Sequence, residues 1–284
     1  MLKARTLLGV LMAPLAVVGT AAVAGPYEDA VVAHERGDYA TAMRLSRPLA
    51  EQGDTRAQLM LGIMLDDGPG VPPDFAEALR WFRRAADQGN ARAQSRLGRM
   101  YQLGRGVVQD YAWALYWYRK AAEQGDATAQ SDLGAMYSSG QGVARDEAEA
   151  IRWFRKAAEQ GDQAAQLFLG VRHQRGLGVA KDYAEAARWF RAAAEHGSAI
   201  GQRSLGRAYE MGEGVPRDQT QAARWFRKAA DQGNAAAQNN IGFLYDKGWG
   251  VAQDYAEAMR WYQKAADQGN ATAQENIRKL MIFR

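Results

Sequence analysis

The 284-residue chain has no cysteine, only three histidines and only seven prolines. Without cysteine it can form no disulfide, no thiolate metal site and no cysteine nucleophile, and a leader cleavage site has no cysteine to carry a lipid. His34, His173 and His196 lie far apart and make no metal-spaced pair. No Ser-x-x-Lys, Gly-x-Ser-x-Gly or phosphate-loop signature occurs. The paired glycines that do occur follow no strand pattern and lack a third glycine, so they read as turns. These absences point away from catalysis, and no cofactor or metal is expected.

An excess of charge is also missing. The formal net charge is +4, and Lys3 and Arg5 belong to a segment expected to be removed, which leaves 34 basic against 32 acidic residues. Phosphate binding needs a basic stripe, whereas here the charges pair along helices. Arg83–Asp87, Arg119–Glu123, Arg155–Glu159, Arg191–Glu195 and Arg227–Asp231 stand four apart, the spacing of surface ion pairs. Nucleic acid is not an expected partner.

The long apolar run lies at the N-terminus. Lys3 and Arg5 precede the uncharged Leu7–Val18 core, and Ala22-Val23-Ala24 forms a small-x-small cleavage site. This order describes a secretory leader over residues 1–24. The run is too diluted by glycine and alanine to favour a retained membrane helix. The expectation is cleavage after Ala24, no membrane span in the mature chain, and a periplasmic or secreted location.

What fills the rest is repetition. Trp81, Trp117, Trp153, Trp189, Trp225 and Trp261 are each 36 residues apart, a period typical of solenoids. Around each Trp, small and apolar residues recur at helical spacing, as in Ala78, Trp81, Phe82 and Ala85. Each such helix opens on aspartate (Asp74, Asp110, Asp146, Asp182, Asp218, Asp254), followed three residues on by Glu or Gln in five of six copies. That spacing predicts a capping box. Each closes at a glycine, Gly89 through Gly269, suited to a left-handed turn. A second helix carries Ala93, Leu97 and Tyr101 on its buried stripe and stops at a Gly-x-Gly-Val loop. Its mid-helix glycine (Gly98, Gly134, Gly242) costs about 1 kcal/mol against alanine, so a close helix contact is expected there. If Gly134 marks such a contact, valine overpacks it, while alanine separates crowding from helix propensity.

The Ala-x3-Leu-Gly-x2-Tyr run, the Gly-x-Gly-Val loop, the Asp-Tyr-Ala-Glu-Ala run and the Trp-Phe/Tyr-Arg-Lys-Ala-Ala run together resemble the Sel-one-like repeat family, a tetratricopeptide-related class. The resemblance covers residues 54 to 284, with departures at Trp113, His173, His196, Ser198 and Gly201. It implies an all-α fold, a right-handed solenoid of stacked antiparallel hairpins. Residues 25–53 read as an N-terminal capping hairpin. Six 36-residue units follow at 54–89, 90–125, 126–161, 162–197, 198–233 and 234–269, and a capping helix at 270–284. His173 sits in a tyrosine column and His196 in a glutamine column, as tolerated replacements rather than ligands.

The columns that change from repeat to repeat carry the functional signal. They hold Arg56, Leu59, Ile63, Asp66 and Asp67 in the first unit, then Arg92, Ser95, Arg99, Gln102 and Leu103 in the second. Later units place Leu167, Val171 and Arg175, then Arg203, Arg207, Glu210 and Met211, then Asn239, Phe243, Asp246 and Lys247 there. The resemblance implies that these columns line a concave, partner-binding groove. The candidate site is therefore Arg92, Arg99, Leu167, Val171, Arg175, Arg203, Arg207, Asn239 and Phe243. Seven groove cations (with Arg56 and Lys247) outnumber the acids Asp66, Asp67, Glu210 and Asp246, so an acidic protein or peptide is the expected partner, with Leu167, Val171 and Phe243 as apolar anchors. The leading reading is an exported, non-enzymatic scaffold in envelope signalling, envelope assembly or host interaction. Cell-wall glycan binding ranks second, limited to Phe243 and Phe168 as aromatic platforms. A hydrolase of the penicillin-binding type, implied only by disulfide-rich relatives, ranks last.

Overall fold

The computed structural model describes residues 25–68 and 70–283. The leader expectation falls on residues 1–24, outside the described residues. Those described form fifteen helices and no strand. The helices are α1 (Pro26–Glu35), α2 (Tyr39–Glu51), α3 (Thr55–Asp67), α4 (Phe75–Asp87), α5 (Ala91–Leu103), α6 (Tyr111–Glu123), α7 (Ala127–Ser139) and α8 (Glu147–Glu159). They continue as α9 (Gln163–Arg175), α10 (Tyr183–Glu195), α11 (Ala199–Met211), α12 (Gln219–Asp231), α13 (Ala235–Lys247), α14 (Tyr255–Asp267) and α15 (Ala271–Phe283). Each packs mainly on the helix before it and the one after it, so the hairpins stack in chain order. None is long and apolar enough to cross a membrane.

The caps explain why boundaries repeat so regularly. Every odd helix from α3 to α15 starts on a side chain (Asp54, Asn90, Asp126, Asp162, Ser198, Asn234, Asn270) that accepts a backbone N–H from its first turn. Every even helix from α4 to α14 starts on its expected aspartate, which does the same. The reciprocal half of the expected capping box does not form. The N-cap backbone N–H is already used by the odd helix, as in Asp146 N–H donating to Tyr137 O at 2.9 Å. That bond closes the Gly-x-Gly-Val loop, and the glutamates turn outward instead. Glu149 pairs with Arg152 at 2.7 Å and Glu257 with Arg260 at 2.8 Å, both one turn along.

Of the five ion pairs expected at four-residue spacing, only Arg227–Asp231 forms, at 3.5 Å. Arg119 and Arg191 instead donate to the hydroxyls of Tyr137 and Tyr209 in the next hairpin, at 2.7 and 2.8 Å, and Arg227 also donates to Tyr245 at 3.1 Å. An exposed ion pair contributes little in water, whereas a tyrosine anchored at the core edge holds its hydroxyl in place at no further entropic cost. Arg155, whose counterpart is His173, makes no such bond. His173 is buried with neither ring nitrogen hydrogen-bonded.

A glutamine ladder runs through the stack. Gln58, Gln94, Gln130, Gln166, Gln202 and Gln238 are buried, and each donates to a carbonyl near the end of the preceding even helix, as Gln130 does to Ala122 O at 3.1 Å. Each also accepts from the residue just after the next even helix: Gln88, Gln124, Gln160, His196, Gln232 or Gln268. His196 fits this column through Nδ1, 3.2 Å from Gln166 Oε1. Because the Gln166 amide nitrogen is committed to Ala158 O, its oxygen must accept, and the network assigns the proton to Nδ1 of His196.

The core lies between odd and even helices. Its odd-helix wall holds Ala93, Leu97 and Met100, or Ala129, Leu133 and Met136, all essentially fully buried. The methionine column is deeper than the tyrosine column expected to complete the stripe, and Tyr137 is only partly buried. Even helices contribute Trp81, Trp117, Trp189 and Trp261, all buried, and the aromatic residue after each Trp. That second ring is what the mid-helix glycines accommodate. Phe82, Tyr118, Phe154, Phe190, Phe226 and Tyr262 pack against Gly62, Gly98, Gly134, Gly170, Gly206 and Gly242.

Candidate functional site

Consecutive odd helices lie side by side, bridged by side chains about one repeat apart, such as Ser131 to Asp162 at 3.1 Å and Asn276 to Asn239 at 3.0 Å. Their variable columns therefore form one continuous face. On α5 these columns enclose a cleft of about 370 Å³, lined by Arg92, Ser95, Arg96, Arg99, Gln102 and Leu103, with Tyr118, Asp126, Thr128 and Asp132 opposite. A second cleft of about 230 Å³ lies between Tyr27, His34, Arg56, Leu59, Met60 and Ile63, and it shares Arg92 with the first. The two make a trough from α1 to α7.

The structure thus brings Arg92 and Arg99 into one cleft. Arg175, Arg203 and Arg207 belong to the later helices α9 and α11, and Asn239 and Phe243 to α13; none of these lines that cleft. Among the described residues Arg92, Arg99, Arg175, Arg203 and Arg207 form no ion pair. The charge balance nonetheless differs from the sequence count. Arg56 is held by Asp54 at 3.2 Å and Glu28 at 3.3 Å, and Lys247 by Asp246 at 2.8 Å. Asp66 is buried beneath Arg105 (3.2 Å) and Arg96 (3.9 Å). Burial raises the pKa of Glu210, partly offset by Arg207 and Arg217.

The apolar anchors need correction. Leu167 and Val171 are half-buried against the Phe190 and Leu205 core, because their side chains bridge one repeat to the next. Phe243 is half-buried, edge-on to Trp249 with centroids 5.5 Å apart. The exposed apolar residues in the variable columns are Leu103, Ile200 and Met211. The aromatic platforms needed for glycan binding in the groove are likewise occupied, since Phe168 stacks on Phe154 with centroids 3.8 Å apart and lies under Arg172. The exposed Trp113–Tyr116 pair lies on α6, where other even helices carry the Glu–Arg pair described above.

Three cleft residues escaped the sequence reading. Arg96 and Asp132 share a column one position from those chosen, and that column also changes from repeat to repeat: Met60, Arg96, Asp132, Phe168, Ser204 and Asn240. Tyr118 replaces the phenylalanine that stands in four of the six copies. Its ring is fully buried against Gly98, and its hydroxyl donates to Gln102 Oε1 at 2.9 Å on the cleft floor.

Asp132 is the unusual acid of the site. Burial pushes its pKa up to about 6, against the smaller opposing effects of the Tyr118 hydroxyl and Arg99, while the Asp162 and Asp126 carboxylates push it further up. A carboxyl whose folded pKa lies above its unfolded value stabilises the fold below the unfolded pKa, and that contribution disappears as pH rises through the folded one. Asp132→Asn is therefore expected to be more stable than the native chain at pH 7.5 by about 1–2 kcal/mol, discounted for partial solvent access. The difference should vanish near pH 4. Paired urea titrations at the two pH values check this, and equal midpoints at pH 7.5 would contradict it.

Among the described residues no cluster of three or more His, Asp or Glu could hold a metal. A stack of hairpins presenting one variable, partly open face defines a helical-repeat scaffold. Six consecutive segments, 55–90, 91–126, 127–162, 163–198, 199–234 and 235–270, match the Sel1 repeat, and the chain belongs to that family. A protective antigen from uropathogenic Escherichia coli strains displaying an SLR fold is 39% identical, with a TM-score of 0.83 over 90% of this chain. The match spans only 56% of that antigen. A Sel1 repeat protein from Oxalobacter formigenes is 35% identical, with a TM-score of 0.69, over 78% of this chain and 86% of its own. No match was found among curated proteins. Sel1 repeats are in general non-enzymatic protein-interaction modules.

Proposed function

We propose that the chain is an exported adaptor that binds an acidic polypeptide along the face formed by its odd helices. The observation that supports this reading is the set of five arginines on that face, Arg92, Arg99, Arg175, Arg203 and Arg207, none of which forms an ion pair among the described residues. Elsewhere the structure pairs its groove cations, as at Arg56 and Lys247. Unpaired guanidiniums attract carboxylates over long range and dock them with two parallel hydrogen bonds. Export rests on the order of charge, apolar core and Ala22-Val23-Ala24 in residues 1–24, and roles in envelope signalling, assembly or host interaction are all compatible with it. A glycan ligand is less well supported, because the groove aromatics are packed, and nothing in the described site supplies a nucleophile with a base.

A fluorescein-labelled, glutamate-rich peptide is the probe. Its anisotropy titration should show binding that weakens as salt rises. Binding should drop at least about fivefold in Arg203→Glu/Arg207→Glu and stay unchanged in Arg155→Glu, an exposed α8 control. Equal affinities in the two variants, with native helicity in both, would place the partner elsewhere.

A further inference from the structure

The cleft between α5 and α7 holds more than the exposed arginines of a docking face. Arg92, Arg96 and Arg99 line one side of a pocket large enough for an acidic side chain, about 370 Å³. Arg96 is already shared with the buried Asp66, and the Tyr118 hydroxyl lies between Gln102 and Asp132. The opposite side carries Asp132 and the α7 cap Asp126, with Thr128 between them in the lining. Asp126 is occupied by the Ala129 backbone N–H. Asp132 is thus the acid that a visiting carboxylate would have to face.

We propose that this cleft is a carboxylate pocket in which Arg92 and Arg99 grip a glutamate or aspartate side chain of the partner, and in which protonation of Asp132 admits it. The inference rests on the acidic-partner reading above and adds the place and the control. With Asp132 charged, the resident carboxylate competes for the arginines and repels the incoming one. With Asp132 neutral, the same side chain can donate a hydrogen bond and the pocket gains one unit of positive charge. The groups facing Asp132 are Arg96 and Arg99 from α5, Tyr118 from α6, Asp126 from its own helix and Asp162 capping α9. Burial places the proton of Asp132 in a range that an ordinary aspartate never reaches, with a pKa of about 6, whereas free glutamate side chains on a peptide stay ionised down to about pH 4.3. Between pH 7.5 and 5.5 the pocket changes charge and its ligand does not. His34 lines the neighbouring cleft beside Arg92, so it needs its own control.

The test titrates the full chain with the same glutamate-rich peptide at pH 7.5 and pH 5.5. The native chain should bind about three- to tenfold more tightly at pH 5.5. Asp132→Asn should bind at the tighter level at both pH values, and His34→Gln should keep the native pH response. Arg99→Gln should weaken binding at both. Asp132→Asn removes a charge that burial disfavours, so it is expected to fold, and far-UV circular dichroism verifies this for each variant. An unchanged pH response in Asp132→Asn, its loss in His34→Gln, or native affinity in Arg99→Gln would each overturn the pocket. If the peptide binds and only Arg203→Glu/Arg207→Glu abolishes binding, the pocket fails while the acidic-partner reading survives. If the native chain does not bind the peptide at either pH, both fail.

Discussion

Gly134→Ala should lower the stability of the stack, although alanine is the better helix former. A Cβ built at Gly134 would lie 2.9 to 3.1 Å from three atoms of the Phe154 ring. That ring is 4% exposed and stacked on Phe168, so it has little room to retreat. The propensity gain of about 1 kcal/mol is set against an overpacking cost of about 1–3 kcal/mol. The expected net loss is about 1 kcal/mol for alanine and about 2–3 kcal/mol for valine. The crowding partner is a side chain and not a neighbouring helix backbone, so trimming the ring should relieve it. Gly134→Ala combined with Phe154→Leu should lose less than the sum of the single changes. Urea midpoints for the four proteins decide the matter, and a rise in stability for Gly134→Ala alone would refute the contact.

Gln130→Leu should cost a further measurable share of stability, through polarity rather than volume. The Gln130 amide donates to Ala122 O at the end of α6 and accepts from Gln160 after α8, tying three helices of two repeats. Gln160 is exposed and can turn to water. Ala122 is 2% exposed, and its carbonyl keeps the Gly125 N–H at 3.1 Å, so the change removes one of its two partners. Losing one such buried hydrogen bond costs about 0.5–1.5 kcal/mol. Because contacts run only between neighbours, the damage should stay local. Amide hydrogen exchange should accelerate at the α6–α7 junction while α13 to α15 keep native protection. A uniform acceleration along the chain would show instead that the stack unfolds as one unit.

The two variants probe interactions of different legibility. A glycine recurring in the middle of a helix is a local anomaly, and its cost in propensity announces that something must lie close by. Which atoms do so depends on where the next helix places its ring, and that is a property of packing. The glutamines recur just as strictly. Their two hydrogen bonds reach carbonyls eight residues back and amides thirty residues on, a span that no local pattern displays.

By itself, the sequence determined what repeats: the helices, their caps, the loop glycines and the all-helical stack, because each depends on residues within a turn or two of one another. It also marked Arg92 and Arg99, since a column that changes while its neighbours hold steady is visible without coordinates. Tertiary structure alone decided which charges remain available. Arg56 and Lys247 count as cations in sequence but are neutralised in space, and Leu167 and Val171 look like anchors but pack between repeats. It also brought Tyr118 and Asp132 from two other helices to the floor and wall of the α5 cleft. The reason is physical: the charge state of Asp132 depends on burial and on neighbours as distant in sequence as Arg99 and Asp162, and those distances exist only once the hairpins have stacked.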